Sequence, residues 1–364
     1  MKKCWIVLLI VVFAVTLPVS AADAVDTQAM EDSLNGEETV FGGVSEILSA
    51  VLENRLSLDG KSVADSLLNL FFLAFKKSLP SLAGLFAVGV LLSLAKSMEL
   101  LHGRIEEAAL LGGRLAIGVL LLSSCLSFIT GAKEAVTAAS RFAEAVMPPL
   151  VTLLVSCGAV GTAAQVTPSF TLLSSVMMSA VVNLLFPILL AALVISVLHS
   201  VLPQSRLGGL AGFFKSGASW LLGGLFTVFA GILSVQGLTG GLKDSASLRS
   251  VRYALSTSVP VIGGAVGESL SALLVSAGTL KGAVGITGIL VIAGILIVPL
   301  LNLIAYLLSL RLLAACMAPF AGEDVLTPIK GVCDCLRLIA ATLVGIGVLW
   351  FLFLGILVGA GGAF

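Results

Sequence analysis

The sequence predicts an all-α fold, a polytopic helical membrane protein of about six to eight spans with an internal repeat. Three observations predict it. First, 58% of the 364 residues are hydrophobic and only 11% are charged, with a mean hydropathy of +1.15. A soluble domain keeps about a quarter of its residues charged to face water. Second, the charges cluster between long apolar runs, as lipid solvation demands. Third, two apolar segments broken by proline and glycine recur at matching positions. Lysine plus arginine equals aspartate plus glutamate, 20 each, so no basic surface invites nucleic acid.

The chain opens like a secretory signal over residues 1–21. Lys2 and Lys3 precede an apolar core from Trp5 to Leu17, and Val19-Ser20-Ala21 forms a small-residue cleavage pattern. That core is shorter than the ~20 residues a span requires. An acidic amphipathic extracytoplasmic region, 22–77, follows. From Asp23 to Leu70 it carries ten acidic residues against two basic ones, Arg55 and Lys61, a balance suited to the outer face. Val44 to Leu58 and Val63 to Phe75 show helical spacing and are expected to lie on the bilayer surface or pack on the first span.

The multi-span domain occupies 78–364. Spans are expected at 79–95, 108–130, 148–166, 170–199, 217–238, 259–280, 283–310 and 338–360. Proline and glycine in 148–166 and 259–280 make re-entrant hairpins the alternative there. Cleavage after Ala21 would place 22–77 outside. Eight full spans then put Lys243, Arg249, Arg252, Arg311, Lys330 and Arg337 in the cytoplasm, and Lys133, Arg141, Arg206 and Lys215 outside.

The repeat covers about 105–215 and 216–330. Arg141 leads through Met147-Pro148-Pro149 into LVTLLVSCG, and Arg252 leads through Val259-Pro260 into VIGGAVGESL. Both Arg141 to Arg252 and Pro149 to Pro260 span 111 residues. Lys133 pairs with Lys243, Pro187 with Pro299, and Phe214-Lys215-Ser216-Gly217 with Ile329-Lys330-Gly331. Three crossings per copy would make the copies inverted, an arrangement common in transporters; a re-entrant broken segment would make them parallel.

Polar residues inside the spans mark candidate pore or packing positions, since charge in lipid is costly. Glu268 lies deep in its segment and reads either as a pore-facing carboxylate or as a packing hydrogen bond. Around it Pro148, Pro149, Pro260, Gly263, Gly264 and Gly267 break the two segments. Arg114 reads as a functional charge or one that snorkels to the headgroups. Asn183 and Asn302 read as ligands or interhelical glue. The pairs Gly208/Gly212, Gly263/Gly267 and Gly355/Gly359 have the spacing that lets helices approach closely. Cys125, Cys157 and Cys316 lie in apolar runs, and Cys333/Cys335 without nearby histidine is a poor zinc site. No phosphate loop, HExxH or GxSxG occurs. We expect no enzymatic activity and no cofactor.

With these residues in view, the chain resembles the stage III sporulation protein AE family of endospore-forming bacteria. The features that carry the resemblance are the signal, the acidic outer segment, MPPLVTLLVSCGAVGTAAQVTPSF and RYALSTSVPVIGGAVGESLSALLVSAGTLKGAVGITG. It covers most of the chain after residue 40. The resemblance implies a multi-pass protein of the mother-cell membrane surrounding the forespore, within a channel complex that sustains forespore development and late gene expression. Implied partners are the other products of that operon, including a cytoplasmic ATPase and ring-forming intermembrane proteins. The family has no established catalytic residues. Lipid contact and self-association are expected; nucleic acid is not. A stand-alone secondary transporter using Glu268 and a non-conducting scaffold are the alternative functions.

Overall fold

The structure, a computed structural model, describes the backbone of Met30 and of residues 44–52, 60–97, 104–201, 207–258, 263–319 and 322–359. Side chains at 44, 46, 60–64, 95–97, 104–110, 236–258, 263–274, 323 and 324 lie outside the description. So do the expected signal peptide, most of the acidic segment and Pro260.

The described chain is helical, with no strand. The helices are α1 (Val44–Leu52), α2 (Gly60–Ser97), α3 (Arg104–Ser156), α4 (Val160–Met178), a π-helical segment (Ser179–Leu185), α5 (Phe186–Val201), α6 (Leu207–Ser258), α7 (Gly263–Met317) and α8 (Glu323–Gly359). Six stretches are long and apolar enough to cross a membrane, with Val160–Val201 counting as one. That number sits at the lower end of the expected range.

The reduction from eight comes from merging. α3 has 53 residues and α7 has 55, each ~80 Å long at 1.5 Å per residue. A bilayer core is only ~30 Å thick. The expected span 148–166 is not a span, because it straddles the end of α3 and the start of α4. The described part of the expected 259–280, residues 263–280, continues into 283–310 as one helix, and 148–166 forms the helix–turn–helix junction at Gly158. Helix-interior glycine costs about 1 kcal/mol, but packing of a long apolar helix overrides such local preferences. Likewise 63–75 does not lie apart on the surface; it continues through Lys76, Lys77 and Pro80 into the first span as α2. α1 buries Ile47 and Leu48 and packs on α7 rather than on that first span.

The break between α3 and α4 has a clear local cause. Gly158 adopts φ +81°, a left-handed conformation that costs other residues about 1–2 kcal/mol. Its N–H donates to the Val155 carbonyl at 2.8 Å, and that of Ala159 donates to Leu154 at 3.0 Å. This is the Schellman closure of a helix on glycine. Beyond it the chain returns along α3. Ser174 Oγ donates to Glu144 Oε1 at 2.9 Å, and a methyl group at Gly118 would touch Val197 and Val201. The pair is an antiparallel hairpin along its length. The π-helical segment ends just before Pro187, whose missing N–H and bulky ring displace the Asn183 carbonyl. An extra residue in the turn relieves that clash.

Contacts fix the other directions. α3 runs antiparallel to α7, with Val146 beside Gly288 and Phe128 against Tyr306. α7 runs antiparallel to α8, with Gly288 beside Leu354 and Leu296 beside Gly347. α8 runs parallel to α6, where the Phe226 ring covers Gly345 and Lys215 Nζ donates to the Gly331 carbonyl at 3.1 Å. α3 and α6 therefore point the same way. Each copy contributes two long helices, an even number, so the copies have parallel rather than inverted orientation.

The charges regroup accordingly. Lys215, Arg311, Lys330 and Arg337 gather at one end of the bundle, whereas Lys133 sits near the middle of α3, Arg141 lies toward its Gly158 end, and the backbone positions of Lys243, Arg249 and Arg252 fall in the last turns of α6. This corrects the grouping expected from eight spans. Asp334 bridges the first group, with Arg337 at 3.1 Å and Lys215 at 3.9 Å. The core is aliphatic with one aromatic cluster, where Phe170 of α4 lies 4.9 Å from Phe353 and 5.8 Å from the fully buried Trp350 of α8.

Candidate functional site

Helical periodicity builds a polar cavity of about 390 Å³ between α2, α3 and α7. α2 contributes Lys77, Ser78 and Ser81; α3 contributes Ser124, Ser127 and Phe128; α7 contributes Pro299, Asn302 and Tyr306. Residues three and four apart share a helix face, so each set looks into the same space. Two hydroxyl pairs join the helices: Ser78 with Ser309 and Ser81 with Ser124, both at 2.9 Å. In membrane proteins such bonds contribute about 0.6 kcal/mol each. Tyr306 is only 2% exposed and stacks on Phe128 with centroids 4.7 Å apart. Its hydroxyl makes no hydrogen bond of its own. Lys77 is exposed at the rim.

The wall holds no carboxylate and no histidine. Ser124 donates to the Leu120 carbonyl at 3.0 Å and Ser127 to Ser124 at 2.8 Å, as hydroxyls in apolar helices do. What is left over is donor capacity: the Lys77 ammonium, the Asn302 amide and the Tyr306 hydroxyl. Such a site suits an acceptor-rich or anionic group.

The other sequence candidates are dispersed. Pro148 and Pro149 are interior to α3, seven and eight residues before its end at Ser156, and Pro148 is exposed. Pro260, the residue paired with Pro149 in the sequence, lies outside the described residues. Gly263, Gly264, Gly267 and Glu268 lie in the first turns of α7, with the Glu268 side chain outside the described residues. Asn183 is exposed in the π-helical segment, its amide 3.5 Å from Ser179 Oγ. Arg114 is half-buried in α3, while Asn302 alone of the candidates lines the cavity. The close approaches between helices involve Gly285, Gly288, Gly345 and Gly347, while Gly212, Gly355 and Gly359 face open space.

The hydroxyl set went unnoticed in the sequence because serine in an apolar helix normally bonds its own backbone. The signal was the pair of Ser-x-x-Ser steps, 78–81 and 124–127, opposite a tyrosine in a third run. Elsewhere, burial pushes the Cys157 thiol up at the hairpin tip, an effect partly offset by the Lys281 ammonium. Among the described residues no group of histidine, cysteine or carboxylate side chains could hold a metal.

Comparison with known proteins gives a consistent result. A family model described as stage III sporulation protein AE matches residues 43–361. The chain is also similar to the stage III sporulation protein AE of Bacillus subtilis (strain 168), 26% identical over 243 residues. Those residues are 67% of this chain and 61% of that relative, so the alignment spans less than two thirds of the relative's length. No solved structure matches.

Proposed function

The chain belongs to the stage III sporulation protein AE family, and on that premise we propose that it is an integral membrane subunit of a mother-cell-to-forespore channel complex. The observation that carries this reading is the extent of the family match, 43–361, which takes in every described helix from α1 to α8. The complex supports forespore development and late forespore gene expression. The chain works in the mother-cell membrane and catalyses no reaction. Energy comes from a cytoplasmic ATPase of the same operon, and ring-forming proteins meet it in the intermembrane space.

The shape suits a platform. Ser81 against Ser124 and Leu92 against Gly113 set α2 antiparallel to α3, which puts the start of α2, the described end of the expected extracytoplasmic segment, toward the Gly158 tip. Export of that segment would leave the Lys215, Arg311, Lys330 and Arg337 end in the cytoplasm, in accord with the positive-inside bias. Both hairpin tips then face the forespore side, where ring proteins are accessible.

The test is affinity purification of the tagged full chain from sporulating cells. Recovery of the operon's ATPase and ring proteins is expected; a chain that purifies alone from intact complexes elsewhere in the cell overturns the reading. Glu268→Gln in the same strain separates conduction from scaffolding. A conducting role predicts lost spore yield with co-purification intact, whereas unchanged yield assigns the chain a scaffold role.

A further inference from the structure

The cavity between α2, α3 and α7 has no part in the channel reading, yet its chemistry selects a ligand class. A cation would find no countercharge in its wall, and a proton path would find no carboxylate or histidine to relay through. The groups with unused capacity are Lys77, Asn302 and Tyr306, and every one donates. The Tyr306 hydroxyl is the sharpest of these, because it is buried, unpartnered and faces the cavity. An unpaired buried hydroxyl carries a desolvation cost that an acceptor in the cavity removes.

Size and surroundings narrow the class. About 390 Å³ falls in the range of small-molecule sites and exceeds what a bare inorganic anion fills. The rim residue Lys77 adjoins Lys76, and Phe72, Leu73 and Leu79 beside them are exposed and apolar. A polar, cationic recess opening beside a greasy helix face matches an amphiphile with an anionic head. Basic pockets between membrane helices hold phospholipid headgroups in this way.

We propose that the recess between α2, α3 and α7 binds a phosphate group carried by an anionic membrane phospholipid, held by Lys77, Asn302 and Tyr306 with the serine hydroxyls behind. The acyl chains lie along the exposed face of α2. The headgroup then adds a shared ligand to three helices that already meet here through the Ser78–Ser309 and Ser81–Ser124 pairs and the Phe128–Tyr306 contact.

Native mass spectrometry of the full chain released from mixed phosphatidylglycerol and phosphatidylcholine nanodiscs tests this. Preferential retention of phosphatidylglycerol is expected. Lys77→Gln should lower that retention about tenfold, as loss of a charge-assisted hydrogen bond does, and Tyr306→Phe about fivefold, as loss of a neutral one does. Tyr306→Phe keeps the ring contact with Phe128, so its folding is controlled by an unchanged thermal midpoint in detergent without lipid. Excess inorganic phosphate should leave the retained lipid in place. Displacement by phosphate, without preference between the lipids, would keep the phosphate chemistry and overturn the lipid as its carrier. Equal retention of both lipids by all three proteins overturns the site.

Discussion

The two stretches that the sequence pairs, 105–215 and 216–330, hold together differently. The first, α3 with α4 and α5, closes on Gly158 and stays in contact from the Glu144–Ser174 hydrogen bond to Gly118 against Val197. In the second, α6 packs chiefly on α5 and equally on α4 and α8, while α7 becomes the central helix against α2, α3 and α8. The two stretches thus hold long helices running in matching directions but with different partners. Partner choice rests on single close approaches, such as Phe226 over Gly345 or Val146 beside Gly288.

Three substitutions probe that difference, in falling order of effect. Trp350→Ala removes the ring through which α8 grips Phe170 of the first hairpin. It should cost about 3–5 kcal/mol, read as a lowered thermal midpoint in detergent; an unchanged midpoint would show that the first hairpin does not depend on α8. Gly345→Leu places a side chain where the Phe226 ring lies and should cost about 1–3 kcal/mol by overpacking. Its signature is selective loosening of α6 by hydrogen exchange, with α3 and α4 protected as before. Gly158→Ala strains only the first tip and should cost about 1–2 kcal/mol. Protease sensitivity should rise at the α3–α4 junction and nowhere in α6.

The fold class was legible because hydropathy and charge spacing report solvent, and here the solvent is lipid. The breaks were harder. Pro148 and Pro149 look like the end of a helix, yet α3 runs through them and stops at Gly158, where a left-handed residue can close the last carbonyls. Glycine beyond an apolar run was the better stop signal. The small-residue pairs misled for a related reason. Spacing of four identifies a smooth face, but Gly355 and Gly359 meet open space while Gly345, unpaired in that pattern, meets an aromatic ring. Only assembly reveals which face has a neighbour. The same holds for the cavity: Tyr306 in isolation is one tyrosine in a long apolar run, and its unmet hydroxyl becomes visible only when α2 and α3 bring their serines beside it.

The length of the first hairpin has a mechanical consequence. Its returning strand of helix, Val160–Val201, has 42 residues, so the paired shaft extends ~63 Å. Two rods bonded side by side resist bending far more than one, and a push at the Gly158 tip is delivered to the Lys215 end with little lost to flexure. The hairpin is a strut that couples the two ends of the molecule. The one place where that strut is not a uniform α-helix is the π-helical stretch before Pro187, which makes it the natural yield point under load.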